Sequence, residues 1–374
     1  MTRNRHAGGQ RNGGLSLSVF TEDELQDIHL ATLEVLARTG VFVEDEEALD
    51  VFEEGGCFVD RGERIVRLPG WVVEDAIRSA PSTITLAGRV PSRDFVVESN
   101  RVGFTNFGEG IQVVDPRDGT LREPTKDDLA AATRLIDALD EIDVLERPIG
   151  AHEVPQAVAP LHNAEAILNN TTKHMFIGPI SGALLKKIVA MAAAVVGGEA
   201  KLRARPLVSF ITCPVSPLKL VKDCCEIIME SARAGMTCNI LSMAMAGGSS
   251  PVTLAGTLVT HNAEVLSGIT LSQLTRRGAP VIYGSSSTAM DLRLAAASVG
   301  SPELALISAA VVQMSRRYLL PSWWPVRRAT PRRVTRSPVT RRRSQACYQR
   351  WQGPTSSTVW GCSSRVSPSI SASS

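Results

Sequence analysis

The sequence predicts an α/β protein, a TIM-type (β/α)8 barrel that stops short at about six βα units, set behind an N-terminal α+β cap. Three observations lead there. From about Val102 onward, short apolar strands alternate with helical segments of ten or more residues, the pattern of a parallel sheet with crossover helices. The stretch from Thr237 to Ser287 reads strand, glycine turn, long helix, strand, and such a βαβ unit within one sheet is almost always right-handed. The third observation separates a barrel from a doubly wound open sheet, which five or six strands would also satisfy. GEGIQV at Gly108 lacks a third glycine and runs into a strand, and AGGSSP opens a helix without the Gly-Lys-Ser/Thr of a phosphate loop, so neither nucleotide-binding signature is complete.

Residues 1–14 are polar and glycine-rich and are expected to be disordered. Residues 15–100 make the cap. Thr21 caps a helix running through Ala37, Glu24 completes the capping box, and Gly40 stops the helix. VFV then begins a strand, EEALDVFEEGG is a second helix, and CFVD, IVRLP and WVVEDAIRSAP follow.

Residues 101–322 make the barrel. Its strands are VGFTNF, VLERPIG, KHMFIGP, LVSFITC, CNILSMAM and APVIYGS. The helices between them are TKDDLAAATRLIDALD, with Thr125 and Asp128 as another capping box, VAPLHNAEAILNN, ALLKKIVAMAAAVVGG, PLKLVKDCCEIIMESARAG and the long helix of the Thr237–Ser287 unit. That long helix has Ser250 placed as its cap, Pro251 at its first position and Gly278 ready to end it in a left-handed conformation. SPELALISAAVVQMSRRY supplies the sixth helix, and LLPSW starts a seventh strand.

Net charge divides the chain sharply. The formal charge is +2, yet residues 323–374 hold ten Arg and no Lys, Asp or Glu, leaving thirty basic against 38 acidic residues in the rest, a net of −8. This tail also carries four of the five Trp. It reads either as a basic nucleic-acid-binding extension, since arginine beside aromatic residues suits phosphates and stacked bases, or as a segment translated out of frame, which is the favoured reading. The seven Cys show no CxxC pair or zinc-ligand spacing, which suits a reduced, cytoplasmic protein. Neither a signal peptide nor an apolar run of the ~18 residues a membrane span needs is recognisable.

In a barrel the chemistry sits at the C-terminal ends of the strands. That selects Asn106, Phe107 and Glu109; His152 and Glu153; Gly178 and Ser181; Cys213, Pro214 and Ser216; Met243 and Met245; and Tyr283, Ser285, Ser286 and Asp291. Cys213 reads first as a small buried apolar group. The string HNAE occurs twice, at His162–Glu165 and His261–Glu264, with His and Glu on one helix face. Barrel helices lie outside the strands, so such faces are expected to meet solvent or a partner, and no metal site is expected. With no GxSxG elbow and no HExxH, the residues assign no catalytic group.

Several long strings add a resemblance. MAMAGGSSPVTLAGTLVTHNAEVLSGITLSQLTRRGAPVIYGSSSTAMDLR, GSPELALISAAVVQ, VVDPRDGTLREPTKDDL, ILNNTTKHMFIG, CPVSPLKL and LEVLARTGVFVEDEEALDVF together resemble the trimethylamine methyltransferase family of MttB-like proteins over about residues 15–322. The resemblance implies a TIM-barrel enzyme that moves a methyl group from a tertiary or quaternary methylamine, trimethylamine or a glycine-betaine-like compound, to the cobalt of a corrinoid (cobalamin) presented by a cognate partner protein. It implies no tightly bound cofactor on this chain, and it leaves a homo-oligomer open. Archaeal trimethylamine enzymes of the family contain pyrrolysine; nothing here marks such a position, which favours the non-pyrrolysine group. A quaternary ammonium has no proton to donate, so aromatic faces and carboxylates should recognise it. By position, Phe107, Glu109, Tyr283, Ser285 and Asp291 are the substrate-binding candidates. Family members continue past an LPSW-like segment with a glycine-rich loop, DSK-type and DAQ-type motifs and further barrel elements. Here that position reads WWPVRRATPRRVTRSPVTRRR, so one wall of the active site is expected to be missing, which leaves the activity of the truncated chain open.

Overall fold

In the computed structural model of the chain, the described residues are 18–98, 101–106, 108–115 and 118–325. The expectations for residues 1–14, for Phe107 and for the tail from residue 326 onward lie outside them.

The Thr21 hydroxyl accepts the Glu24 amide while the Glu24 carboxylate accepts the Thr21 amide at 2.8 Å, and this box starts helix α1 (Glu22–Arg38). Gly40, at φ +79, turns the chain into β1 (Val41–Val43). Then come α2 (Glu46–Glu54), β2 (Phe58–Asp60), β3 (Ile65–Arg67) and α3 (Gly70–Ser79), followed by the hairpin β4 (Ile84–Leu86) and β5 (Phe95–Val97) and a smaller one, β6 (Val113–Val114) with β7 (Leu121–Arg122). Helix α4 (Lys126–Ala138) opens on the Thr125/Asp128 box. Beyond it the chain runs β8 (Val144–Glu146), α5 (Ala159–Asn170), β9 (His174–Ile177), α6 (Gly182–Val196), α7 (Glu199–Ala204), β10 (Val208–Thr212), β11 (Lys219–Leu220), α8 (Lys222–Ala234), β12 (Cys238–Ser242), β13 (Met245–Ala246), α9 (Leu254–Thr275), β14 (Val281–Ser285), β15 (Thr288–Asp291), β16 (Ala296–Ala297), α10 (Pro302–Arg317) and β17 (Ser322–Trp323).

Strands β8, β9, β10, β12, β14 and β17 lie side by side in that order, every pair parallel. Thr105 adds a parallel bridge to Val144 at the β8 edge. The expected first strand is thus reduced to one bridge, and LLPSW delivers the seventh position, with Trp323 inside the fold rather than at the head of the tail. Among the described residues no strand joins β17 back to Thr105, so the barrel is an open arc.

Side chains alternate across the arc, as pleated strands require. Val144, Phe176, Leu241, Ile282 and Trp323 point inward and pack with Ile84, Leu86, Phe95 and Val97 of the β4–β5 hairpin, which therefore plugs the N-terminal end of the arc instead of belonging to the cap. Burying a side chain of this size contributes about 1.5–3 kcal/mol. His174 pins the plug: its Nδ1 lies 3.1 Å from the Ala87 carbonyl and 3.0 Å from that of Pro206, and its Nε2 lies 2.7 Å from Ser209 Oγ.

The outward residues of the arc pack under the helices, above all α9. Its cap is Thr253, whose hydroxyl accepts the Gly256 amide, not Ser250. Residues 245–250 form a tight loop in which the amides of Gly248 and Ser250 both bond the Met245 carbonyl, so the helix starts only after Pro251 and Val252. Helix α9 is buried on almost every side, because α1, α2, α3 and α8 cover what the arc leaves free. The cap and the barrel also share a sheet of order β11-β1-β3-β2. No described helix is long and apolar enough to cross a membrane.

Candidate active site

A cavity of about 520 Å³ opens at the C-terminal ends of the arc strands. Its walls are mostly apolar: Phe176, Ile211, Leu241 and Trp323 come from β9, β10, β12 and β17, and Met243 follows β12. Exposed Ile180 and Met243 stand at its rim. Glu146, Glu109, Arg147, Cys213 and Asp223 supply the chemistry.

Glu146 is the last residue of β8 and shares the inward face with Val144. Its backbone is clamped on both sides by one carboxamide: Asn106 Nδ2 donates to its carbonyl at 2.5 Å, and its amide donates to Asn106 Oδ1 at 3.0 Å. The side chain is buried and its Oε2 has no hydrogen-bond partner among the described residues. Loss of water pushes the carboxyl up to about 8; Arg147 opposes this and Glu109 adds to it. The guanidinium of Arg147 is already engaged in an ion pair with Glu109. Two glycines make room for the carboxyls. A Cβ at Gly108 would stand 2.6 Å from the Arg147 carbonyl oxygen and 3.1 Å from Glu146 Oε1, and one at Gly150 would stand 2.9 Å from Glu109 Oε1.

Cys213 lines the same cavity and is partly accessible, unlike the buried Cys57, Cys224, Cys225 and Cys238. Burial, with the nearby Glu146 carboxyl, pushes its thiol up to about 11.

Of the five substrate-binding candidates, Glu109 lines the cavity and Phe107 lies outside the described residues. Tyr283 and Ser285 do not reach it. In β14 the inward positions are Ile282 and Gly284, so Tyr283 and Ser285 face the helices. The Tyr283 hydroxyl donates to Asn262 Oδ1 at 2.9 Å, and Ser285 Oγ accepts the Ser287 amide at 3.2 Å. Asp291 lies in the β15–β16 ladder and accepts the amides of Arg293 and Leu294. Neighbouring Ser286 and Thr288 line the cavity instead. Glu146, Arg147 and Trp323 were not among the sequence candidates. An acidic residue closing an otherwise apolar strand was the available signal for the first.

The two HNAE strings have different fates. At the first, Lys126 pairs with Glu165 near the surface and Asn163 Oδ1 accepts the Ala151 amide. The second is wholly buried, contrary to the expected solvent or partner face, because the cap lies over α9. His261 Nδ1 is 3.0 Å from Ser287 Oγ, and burial pushes this imidazole down to about 3. Glu264 accepts from Ser242 Oγ at 2.6 Å, Ser216 Oγ at 2.8 Å and the Leu218 amide at 3.1 Å. Desolvation raises its carboxyl, against those three bonds. Among the described residues no cluster of three or more His, Cys, Asp or Glu is placed to hold a metal ion.

With this geometry in view, the chain compares with known proteins as follows. The sequence model of the trimethylamine methyltransferase (MTTB) family matches residues 4–326. Trimethylamine methyltransferase MttB of Desulfitobacterium hafniense is 53% identical over 317 residues, 85% of this chain and 64% of the relative. The corresponding protein of Methanosarcina thermophila is 43% identical, over 86% of this chain and 67% of its own. Glycine betaine methyltransferase of Desulfitobacterium hafniense is 34% identical, over 82% and 63%. The chain thus spans 64% of the length of the Desulfitobacterium MttB relative. Among solved structures, the monomethylamine methyltransferase MtmB of Methanosarcina barkeri superposes with a TM-score of 0.54 at 15% identity, over 94% of this chain and 77% of that one. A hydroxylamine complex of MtmB gives 0.60 at 15% identity, over 96% and 72%. At that identity the likeness is one of fold.

Proposed function

The chain belongs to the trimethylamine methyltransferase family, and from that premise we propose that it binds a methylated ammonium cation, trimethylammonium foremost, and delivers one methyl group to the corrinoid of a separate protein. The observation that supports this reading is the composition of the cavity: an apolar chamber at the strand ends whose buried charge-bearing group, among the described residues, is the Glu146 carboxyl.

A methylated ammonium ion is a cation wrapped in hydrocarbon, and it needs both kinds of surface. Phe176, Ile211, Leu241 and Trp323 take the methyl groups out of water at about 25 cal/mol per Å², and an aromatic face adds about 0.5–2 kcal/mol for a desolvated cation. Glu146 supplies a negative charge that forms no ion pair among the described residues, while Glu109 and Arg147 hold each other at its flank. The docked corrinoid supplies the nucleophile that receives the methyl group. The chain's own task is to hold the cation with one methyl toward the open rim, where Ile180 and Met243 offer apolar surface to a partner, and to keep water away.

Methyl transfer to a reduced corrinoid protein, followed by the cobalt absorption spectrum, tests the proposal with trimethylamine, tetramethylammonium and glycine betaine as donors. Transfer from trimethylamine is expected. No transfer from any of the three overturns it.

A further inference from the structure

Glu146 sits in the ammonium cavity under conditions that Glu109 does not share. Glu109 is ion-paired and its side chain 40% exposed. Glu146 is 8% exposed, one carboxyl oxygen is without a hydrogen-bond partner among the described residues, and the adjacent guanidinium is engaged elsewhere. Its backbone is held from both sides by Asn106, which fixes the point from which the side chain enters the cavity. An ionised carboxylate so placed lacks solvent and has only a guanidinium already shared with Glu109 to attract it, and a neutral acid avoids that cost.

Resting on the methylated-ammonium reading above, we propose that Glu146 is the proton-holding acid of the site: it is neutral in the empty cavity and gives up its proton when a methylated ammonium cation enters, so that cation binding and proton release are one event. The O–H bond of the carboxylic acid breaks, the proton passes to the buffer, and the carboxylate remains as counter-ion to the bound cation. No electrons change hands. The other titratable groups facing the cavity are Arg147 beside it on the β8 edge, Glu109 from the loop after Thr105, Cys213 after β10, and Asp223 and Cys224 of α8. The thiols of Cys213 and Cys224 are pushed up to about 11 and about 12 by burial, so neither loses a proton near neutrality. The rise of Glu146 to about 8 agrees with the geometry.

The device has a consequence for selectivity. A neutral amine or a sugar-like ligand gives no reason for the proton to leave, whereas a permanent cation does. The Glu146 position therefore carries a negative charge only when a positive one occupies the cavity.

Isothermal titration of the full chain with tetramethylammonium chloride, whose charge is independent of pH, tests this in buffers of different ionisation enthalpy between pH 6 and 9. With Glu146 near 8, about 0.9 proton should leave per bound cation at pH 7 and about 0.1 at pH 9, and Kd should weaken about 100-fold from pH 9 to pH 6. Glu146→Gln, which mimics the neutral acid, should abolish both the release and the pH dependence. Binding without proton release by the unaltered chain overturns the proposal alone, whether or not the variant folds. Unchanged release by the variant does the same. No binding at any pH overturns the methylated-ammonium reading, and this inference with it.

Discussion

Tyr283 donates its phenol to Asn262 Oδ1 at 2.9 Å, behind the barrel wall and away from the cavity. Asn262 in turn donates to the Tyr318 hydroxyl at 2.8 Å and to Thr32 Oγ1 at 3.0 Å. One carboxamide thereby joins β14, the end of α10 and the first helix of the cap. Tyr283→Phe leaves Asn262 Oδ1 buried without a donor, at a cost of about 1–3 kcal/mol. Urea unfolding should register that loss while tetramethylammonium affinity stays within twofold. A large drop in affinity with stability unchanged would show that the hydroxyl reaches the ligand.

Stability should peak near pH 6.5. His174 and His261 are pushed by burial from an ordinary 6.5 down to about 4 and about 3, so their contribution is complete above 6.5 and is lost as pH falls through those lower values. His29 is shifted the same way. Glu146 has the opposite sign: raised from 4.5 to about 8, it contributes fully below 4.5 and loses that contribution as pH rises to 8, with the raised Glu264 acting in the same sense. At about 1.4 kcal/mol per pH unit and group, Glu146 alone should remove about 2 kcal/mol between pH 6.5 and 8. Urea midpoints at pH 5, 6.5 and 8 measure the two limbs, and Glu146→Gln should flatten the alkaline one. Greater stability at pH 8 than at 6.5 contradicts the assignment.

Gly108→Ala should damage the site more than its size suggests. The added Cβ would lie 2.6 Å from a backbone oxygen, which has no flexible end to move aside. Overpacking of this kind costs about 1–3 kcal/mol. Because the other near neighbour is the Glu146 carboxyl, tetramethylammonium affinity should fall at least tenfold. Retention of full affinity would mean that the Gly108 backbone is free to move away from Glu146.

Cys213 should be the first alkylated among Cys57, Cys213, Cys224, Cys225 and Cys238, since the other four are buried. With its thiol near 11, iodoacetamide should react slowly at pH 7.5 and about 100-fold faster at pH 9.5. Bound tetramethylammonium should protect it. Peptide mapping by mass spectrometry reads both effects, and labelling unaffected by the cation would place the ligand elsewhere.

The succession of strands and helices was legible because each element carries its own local signal. The Thr21 and Thr125 boxes, the glycine stop at Gly40 and the apolar runs of β9, β10, β12 and β14 act over a few residues. Which face of a strand looks inward was not legible. Both faces of a barrel strand are apolar, so VIYGSSS shows no alternation to separate Ile282 and Gly284 from Tyr283 and Ser285. Strand-end position alone therefore selected Tyr283 and overlooked Glu146. The burial of His261–Glu264 was hidden for a related reason. It depends on a cap more than 200 residues earlier in the chain, and a helix sequence does not say what will cover it. Ser250 failed as a cap because the loop closed by Met245 takes up the residues before Thr253.

The bonds between the first helix and the last one bear on how the chain is made. Val19 donates its amide to Gln313 Oε1 across 294 residues of sequence, and His29 meets the Tyr318 hydroxyl across 289. Each barrel strand docks on the one synthesised just before it, and α1 bonds early to its own cap through the Leu36 and Arg38 carbonyls, but the bonds to Gln313 and Tyr318 wait until those residues leave the ribosome. At roughly 5–20 residues per second, that is a wait of about 15–60 seconds. During this interval the face of α1 that α9 will cover is a surface for a chaperone to hold, and the first described helix is among the last to complete its contacts.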